Sequence, residues 1–222
     1  MRFARFYTVL LLLASPFFGV LAWSADNAKS ANELQGKNYF EEGRDYFSYV
    51  EPITELATID GKILIQFFFD YDCRICSSAL DILELYSQIN RDKVALREYP
   101  VATVKDQFSA NVFFALRAIN AEHISPALLF ETSEKQRYSE LAKLDNLRQW
   151  LEAQELDVAQ FTRAYQSLLV KQQVKQAIDK TEEYGVFTFP YVIINGKYVL
   201  TASTLYNDEY SFAVLDFLIN QK

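Results

Sequence analysis

The 222-residue chain has two cysteines, Cys73 and Cys76, three positions apart, and a single histidine, His123. A cysteine pair at this spacing could staple the fold, hold a metal or exchange electrons. Stapling is a poor use of it, because a disulfide stabilises chiefly by closing a long loop in the unfolded chain and this loop is very short. A zinc site needs about two further Cys or His ligands, and His123, alone in a helical-looking stretch, does not supply them. Redox exchange by the pair itself is what remains. It requires local structure that makes one sulfur a stable thiolate.

The flanking residues provide such structure. Ile63-Leu64-Ile65-Gln66-Phe67-Phe68-Phe69 is a short apolar run rich in strand formers, as in a buried strand of a parallel or mixed sheet. Asp70-Tyr71-Asp72 breaks it. Ile75, Ala79, Ile82, Leu83, Tyr86 and Ile89 then recur at three- and four-residue steps, which predicts an amphipathic helix packing one face on the sheet. Strand, turn, cysteine, helix is the order, and it places Cys73 at a helix N-terminus. Unpaired N–H groups and the macrodipole favour negative charge there, and such positions lower a cysteine pKa from about 8.5 into the ~3.5 to 7.5 range. Cys76 falls on the same end and side. The expected roles are Cys73 as nucleophile and Cys76 as resolving thiol, with Arg74 supporting the thiolate and Asp70 and Asp72 opposing it.

These residues resemble a known family. Phe68-Phe69-Asp70-Tyr71-Asp72-Cys73-Arg74-Ile75-Cys76 is similar to the strand-to-helix active site of DsbA-like proteins of the thioredoxin superfamily. Gly185-Val186-Phe187-Thr188-Phe189-Pro190-Tyr191-Val192-Ile193-Ile194-Asn195-Gly196-Lys197-Tyr198 resembles their cis-proline loop and following hairpin. The residues agree: Pro190 precedes a strand, Tyr191 to Ile194, and Asn195-Gly196 suits a tight turn because both accept positive φ. The resemblance implies that Phe189–Pro190 is cis, that this loop lies against Cys73, and that the backbone of Phe189 pairs with the substrate peptide. Arg74, Ile75, Thr188 and Phe189 are the expected groove and tuning residues. The chain departs from the family in three ways. Arg74-Ile75 replaces the frequent Pro-His between the cysteines. The strand acid common in the family falls on Phe67, with Gln66 beside it. Phe189 stands where a small or β-branched residue is usual, and either lines the substrate groove or packs inward.

Further along, Val94 to Tyr99 reads as a strand ended by Pro100. About ninety residues separate Tyr99 from Pro190, far more than the dozen or so of a crossover, so an insertion is implied. It reads as helical throughout. Phe108, Val112, Phe113, Leu116 and Ile119 form one stripe, Leu144, Leu147 and Leu151 another, and Phe161, Tyr165, Leu168, Leu169, Val174 and Ile178 a third long one. Ile124 to Glu131 is similar to the family's insert. A final helix from Asn207 to Ile219 would cover the sheet. The fold class is therefore α/β: a thioredoxin-like fold, a mixed central sheet flanked by helices, with an inserted all-helical domain. The expected parts are a signal peptide over 1–24, a mobile lead-in over 25–45, thioredoxin-like segments over 46–102 and 184–222, and the helical insertion over 103–183.

The signal peptide is read from Arg2 and Arg5 ahead of the apolar stretch Phe6 to Val20, with Ala22-Trp23-Ser24 placing a cleavage site before Ala25. An uncleaved anchor is the competing reading, since Arg2 to Trp23 approaches the ~20 residues that span a bilayer. Either way the rest would face an oxidising compartment, the periplasm. A net charge of −7 argues against a nucleic-acid partner, and the 18 Phe and 14 Tyr are assigned to the core.

The activity expected is dithiol oxidation, with no cofactor beyond a redox-active disulfide Cys73–Cys76 and no metal. Its substrates would be unfolded or partly folded cysteine-containing proteins. The resemblance adds a membrane redox partner of the DsbB type. A reductase or isomerase on the same fold is the alternative. A peptide-binding chaperone with an incidental cysteine pair is the rival from another class.

Overall fold

The structure, a computed structural model, describes residues 40–221. Chain order is β1 (Phe47–Ser48), β2 (Thr58–Ile59), β3 (Lys62–Phe69), α1 (Cys76–Ile89) and β4 (Val94–Pro100). The insertion follows, with α2 (Phe108–Ala118), α3 (Ser125–Thr132), α4 (Lys135–Leu141), α5 (Leu144–Ala153), α6 (Val158–Tyr165) and α7 (Leu168–Glu183). The chain then returns through β5 (Tyr191–Ile194), β6 (Tyr198–Thr201) and α8 (Asp208–Ile219).

The apolar run of β3 is buried from Leu64 to Phe69 because it has a strand on each side and packing on both faces. β4 runs parallel to it, from Ile63↔Val94 to Phe69↔Pro100, and β5 antiparallel, from Ile65↔Ile194 to Phe68↔Tyr191. β6 and β1 extend the sheet beyond β5. Side chains alternate across a strand. Ile65, Phe67 and Phe69 thus join one core, with α1 and the insertion, while Leu64 and Phe68 join a smaller one with Leu56, Tyr184 and Ile193.

The hairpin between β5 and β6 turns at Asn195 (φ 54°) and Gly196 (φ 63°), as their types predict. Gly196 is required twice over, because a Cβ there would lie 2.1 Å from the Ile53 carbonyl oxygen. Asp60 and Gly61, also at positive φ, turn β2 into β3.

The insertion is helical, but its third stripe is not one helix. It breaks after Tyr165, and Ser167 restarts the chain by accepting a hydrogen bond from Val170 N–H. Leu168 and Leu169 are left exposed, while Phe161 and Val174 are buried. The insertion shares its core with the sheet: Leu147, Leu151 and Phe161 belong to the same cluster as Phe67.

The lead-in expected to be mobile to residue 45 is packed from Phe40 onward. Phe40 meets the rings of Tyr210 and Phe217 on α8. The buried Asp45 carboxylate accepts from Arg44, Tyr210 and Glu41 N–H. The Arg44 guanidinium, first among these, holds it well below the usual carboxylate range. The signal peptide and the lead-in to residue 39 lie outside the described residues.

Candidate active site

Cys73 and Cys76 are joined in a disulfide with their Cα atoms 5.4 Å apart. Helix α1 begins at Cys76 with Ile75 as its N-cap, so Cys73 lies at the N-terminal end of the helix, three residues ahead of its first helical residue. The cause is local. Asp70 Oδ1 accepts from Asp72 N–H at 2.8 Å, and the Asp70 carbonyl accepts from Cys73 N–H at 3.1 Å, so residues 70–73 close a turn of their own. A second turn, Cys76 N–H to the Cys73 carbonyl at 3.3 Å, leads into the helix. Cys76 is fully buried and Cys73 is 6 % exposed, beside exposed Asp72, Arg74 and Ile75. Cys73 is thus the outer sulfur position.

Tyr71 anchors the turn from below. It is fully buried, its hydroxyl pairs with that of Ser125 at 2.8 Å, and its N–H donates to Ser109 Oγ at 2.9 Å. Burial raises the Asp70 pKa above the ordinary carboxylate value; the Asp72 N–H hydrogen bond pulls it back, and Asp106 adds repulsion.

The peptide bond Phe189–Pro190 is cis. The β3–β5 register, Phe68↔Tyr191, carried one residue further sets Pro190 at the level of Phe69, the last residue of the strand that feeds the cysteine turn. Pro190 is buried and Thr188 exposed. Phe189 is half-buried and packs against both core clusters, so it takes part in the interior rather than only in a surface groove. Phe187, which the sequence reading did not single out, is 86 % exposed. Its place between a glycine and a proline, outside any periodic pattern, was the available signal.

The missing strand acid has a counterpart one strand away. Glu98 on β4 stands opposite Phe67, and its Oε2 is buried without a hydrogen-bond partner. Burial, with repulsion from Glu84 and Glu122 and partial relief from Arg117, raises its pKa to about 7. Glu98 lines a cavity of about 710 Å³ along β4, together with Glu84, Arg117 and His123; neither cysteine reaches it. Among the described residues no group of three or more His, Cys, Asp or Glu is placed to hold a metal ion.

No family model matches the chain. An uncharacterized protein of Haemophilus influenzae is 63% identical over 183 residues, 82% of this chain and 78% of that protein. The thiol:disulfide interchange protein DsbA of Burkholderia cepacia is 26% identical over 204 residues, 90% of this chain and 91% of its own length. Among solved structures, the oxidoreductase NmDsbA1 from N. meningitidis superposes with a TM-score of 0.68 at 23% identity, covering 83% of this chain and 94% of its own. DsbA of Pseudomonas aeruginosa gives the same score and identity over 81% of this chain and 93% of its own. These likenesses place the sheet and the inserted helices in one known fold.

Proposed function

We propose that the chain, which is similar along most of its length to thiol:disulfide interchange proteins named DsbA and shares their fold, is an exported thiol:disulfide oxidoreductase, a dithiol oxidase working through Cys73 and Cys76. A substrate thiolate attacks the Cys73 sulfur, the Cys73–Cys76 bond breaks, and Cys76 leaves as a thiolate. A second substrate thiolate then attacks the substrate sulfur of the mixed disulfide and displaces Cys73 as a thiolate. The substrate gains a disulfide, and the pair takes up its two electrons. The observation that carries this order of attack is the inequality of the two positions, Cys73 at the rim of the turn and Cys76 buried in the first turn of α1.

Around that step, Pro190 closes the groove beside the turn, the Phe189 backbone pairs with the substrate chain, and Thr188, Ile75 and Arg74 border it. The substrates are cysteine-containing proteins of the periplasm, and a membrane partner of the DsbB type reoxidises the pair. No cofactor beyond the disulfide is required. Asp70 and Asp72, and the lack of a histidine between the cysteines, favour a second reading as a reductase or isomerase, since both disfavour the Cys73 thiolate. Equilibration with a glutathione series separates the two. A potential near DsbA's ~−120 mV supports the oxidase, and one near thioredoxin's ~−270 mV overturns it.

A further inference from the structure

The cysteine turn is held by a residue that belongs to the insertion. Ser109, on the first turn of α2 and 2 % exposed, makes two hydrogen bonds into the segment just ahead of Cys73. Its hydroxyl donates to Asp70 Oδ1 at 3.1 Å, and its oxygen accepts Tyr71 N–H at 2.9 Å. A hydroxyl has one proton to give and lone pairs to receive, so both bonds can be made at once. Asp70 is thereby fixed by two donors, Ser109 and Asp72 N–H, while its own carbonyl receives Cys73 N–H. A four-residue turn of this kind keeps the Cα atoms of its end residues within about 7 Å, so the Asp70 carboxyl group is held at the base of the turn bearing Cys73, and its ionised form places a negative charge there.

We propose that Ser109 is a positioning residue for Cys73: by holding the Asp70 carboxylate in place, this serine of the helical insertion sets how readily Cys73 ionises and so how oxidising the Cys73–Cys76 pair is. The physical direction is fixed by charge. A nearby carboxylate disfavours a thiolate, and a pair whose reduced thiolate is disfavoured is a weaker oxidant. Ser109 strengthens that effect in two ways, keeping the carboxylate in place and, as a donor to it, favouring its ionised form. Serine loss therefore acts in the same direction as loss of the charge. The inference rests on the redox reading of Cys73 and Cys76, but not on which way electrons flow in the cell.

The test is a double-mutant cycle on the full-length protein, read by thiolate absorbance against pH and by equilibrium with glutathione. Asp70→Asn keeps an acceptor for Ser109 and Asp72 N–H and removes only the charge. It should increase the Cys73 thiolate-to-thiol ratio about threefold or more, roughly half a pKa unit, and make the pair more oxidising. Ser109→Ala should move both readouts the same way by less. In the Asp70→Asn background Ser109→Ala should move neither, because there is no charge left to position. An unchanged pKa in Asp70→Asn overturns the proposal, and this variant decides the matter even if Ser109→Ala fails to fold. Equal shifts from Ser109→Ala in both backgrounds also overturn it, as they would reflect loosening of the turn alone. A wild-type pair as reducing as that of thioredoxin would sink the oxidase reading while leaving these differences intact.

Discussion

Glu98 stands directly across the parallel β3–β4 ladder from Phe67, with Oε2 buried and unpaired and a pKa pushed up to about 7. A buried carboxyl of this kind favours its neutral form, so the folded chain holds its proton more tightly than the unfolded chain does, where the ordinary value is about 4.3.

The consequence for stability follows from that sign. Below about pH 4 both states are protonated and Glu98 makes no difference. Between about 4.3 and 7 the unfolded state loses its proton first, so stability falls as pH rises. Glu98→Gln should remove that part of the slope and raise stability at pH 8 by roughly 1 to 3 kcal/mol. Urea titrations of both proteins at pH 4, 6 and 8 check this; equal slopes would show that Glu98 is solvated in the native state.

The reaction mechanism makes an asymmetric prediction for the cysteines. Cys73→Ser should abolish disulfide transfer to a reduced, unfolded substrate protein. Cys76→Ser should leave the Cys73 thiolate able to attack a disulfide-bonded substrate, breaking that bond and releasing one substrate thiolate; without Cys76 to free Cys73 from the mixed disulfide, a covalent adduct accumulates on a non-reducing gel. Accumulation in Cys73→Ser instead would exchange the two roles. Full activity of Cys73→Ser in cells would favour the chaperone reading.

Gly196 offers a test of the fold that is independent of the chemistry. Gly196→Ala places a Cβ 2.1 Å from the Ile53 carbonyl oxygen at a φ of +63°. Either the hairpin or the Ile53 loop must move, breaking the 2.7 Å bond from Ile53 N–H to the Gly196 carbonyl. The expected loss is about 2 to 4 kcal/mol, read from chemical denaturation. Gly43→Ala, also at positive φ but with nothing within 4 Å of the added carbon, should cost less.

What sequence reveals and hides can be traced through the same residues. Strand β3 and the stripe of α1 are legible because an unbroken aromatic run and a 3.6-residue period have few other uses. The first helical residue, Cys76, is not legible, because periodicity reports the apolar face and not the helix start, which the hydrogen bonds of the Asp70–Cys73 turn help to set. The long third stripe hid a break at Ser167, since the apolar spacing runs on through Leu168 and Leu169 although both are exposed. Ser109, Ser125 and Glu98 carry no local pattern. Their meaning comes from partners Tyr71, Asp70 and Phe67, about 30 to 55 positions earlier in the chain, which only the packed structure brings together.

The Tyr71–Ser125 pair gives the last prediction. Both side chains are fully buried and their hydroxyls are 2.8 Å apart, so each satisfies the other where water does not reach. Tyr71→Phe keeps the ring packed against Phe69 and Phe108 but leaves the Ser125 hydroxyl without this partner. It should cost about 1 to 3 kcal/mol. Tyr71→Phe combined with Ser125→Ala removes both polar groups and should recover part of that loss, because neither is then stranded. If the double variant is as unstable as the sum of the singles, the two hydroxyls act independently. A thiolate pKa for Cys73 that stays at its wild-type value in Tyr71→Phe would separate this structural anchor from the charge-positioning role of Ser109.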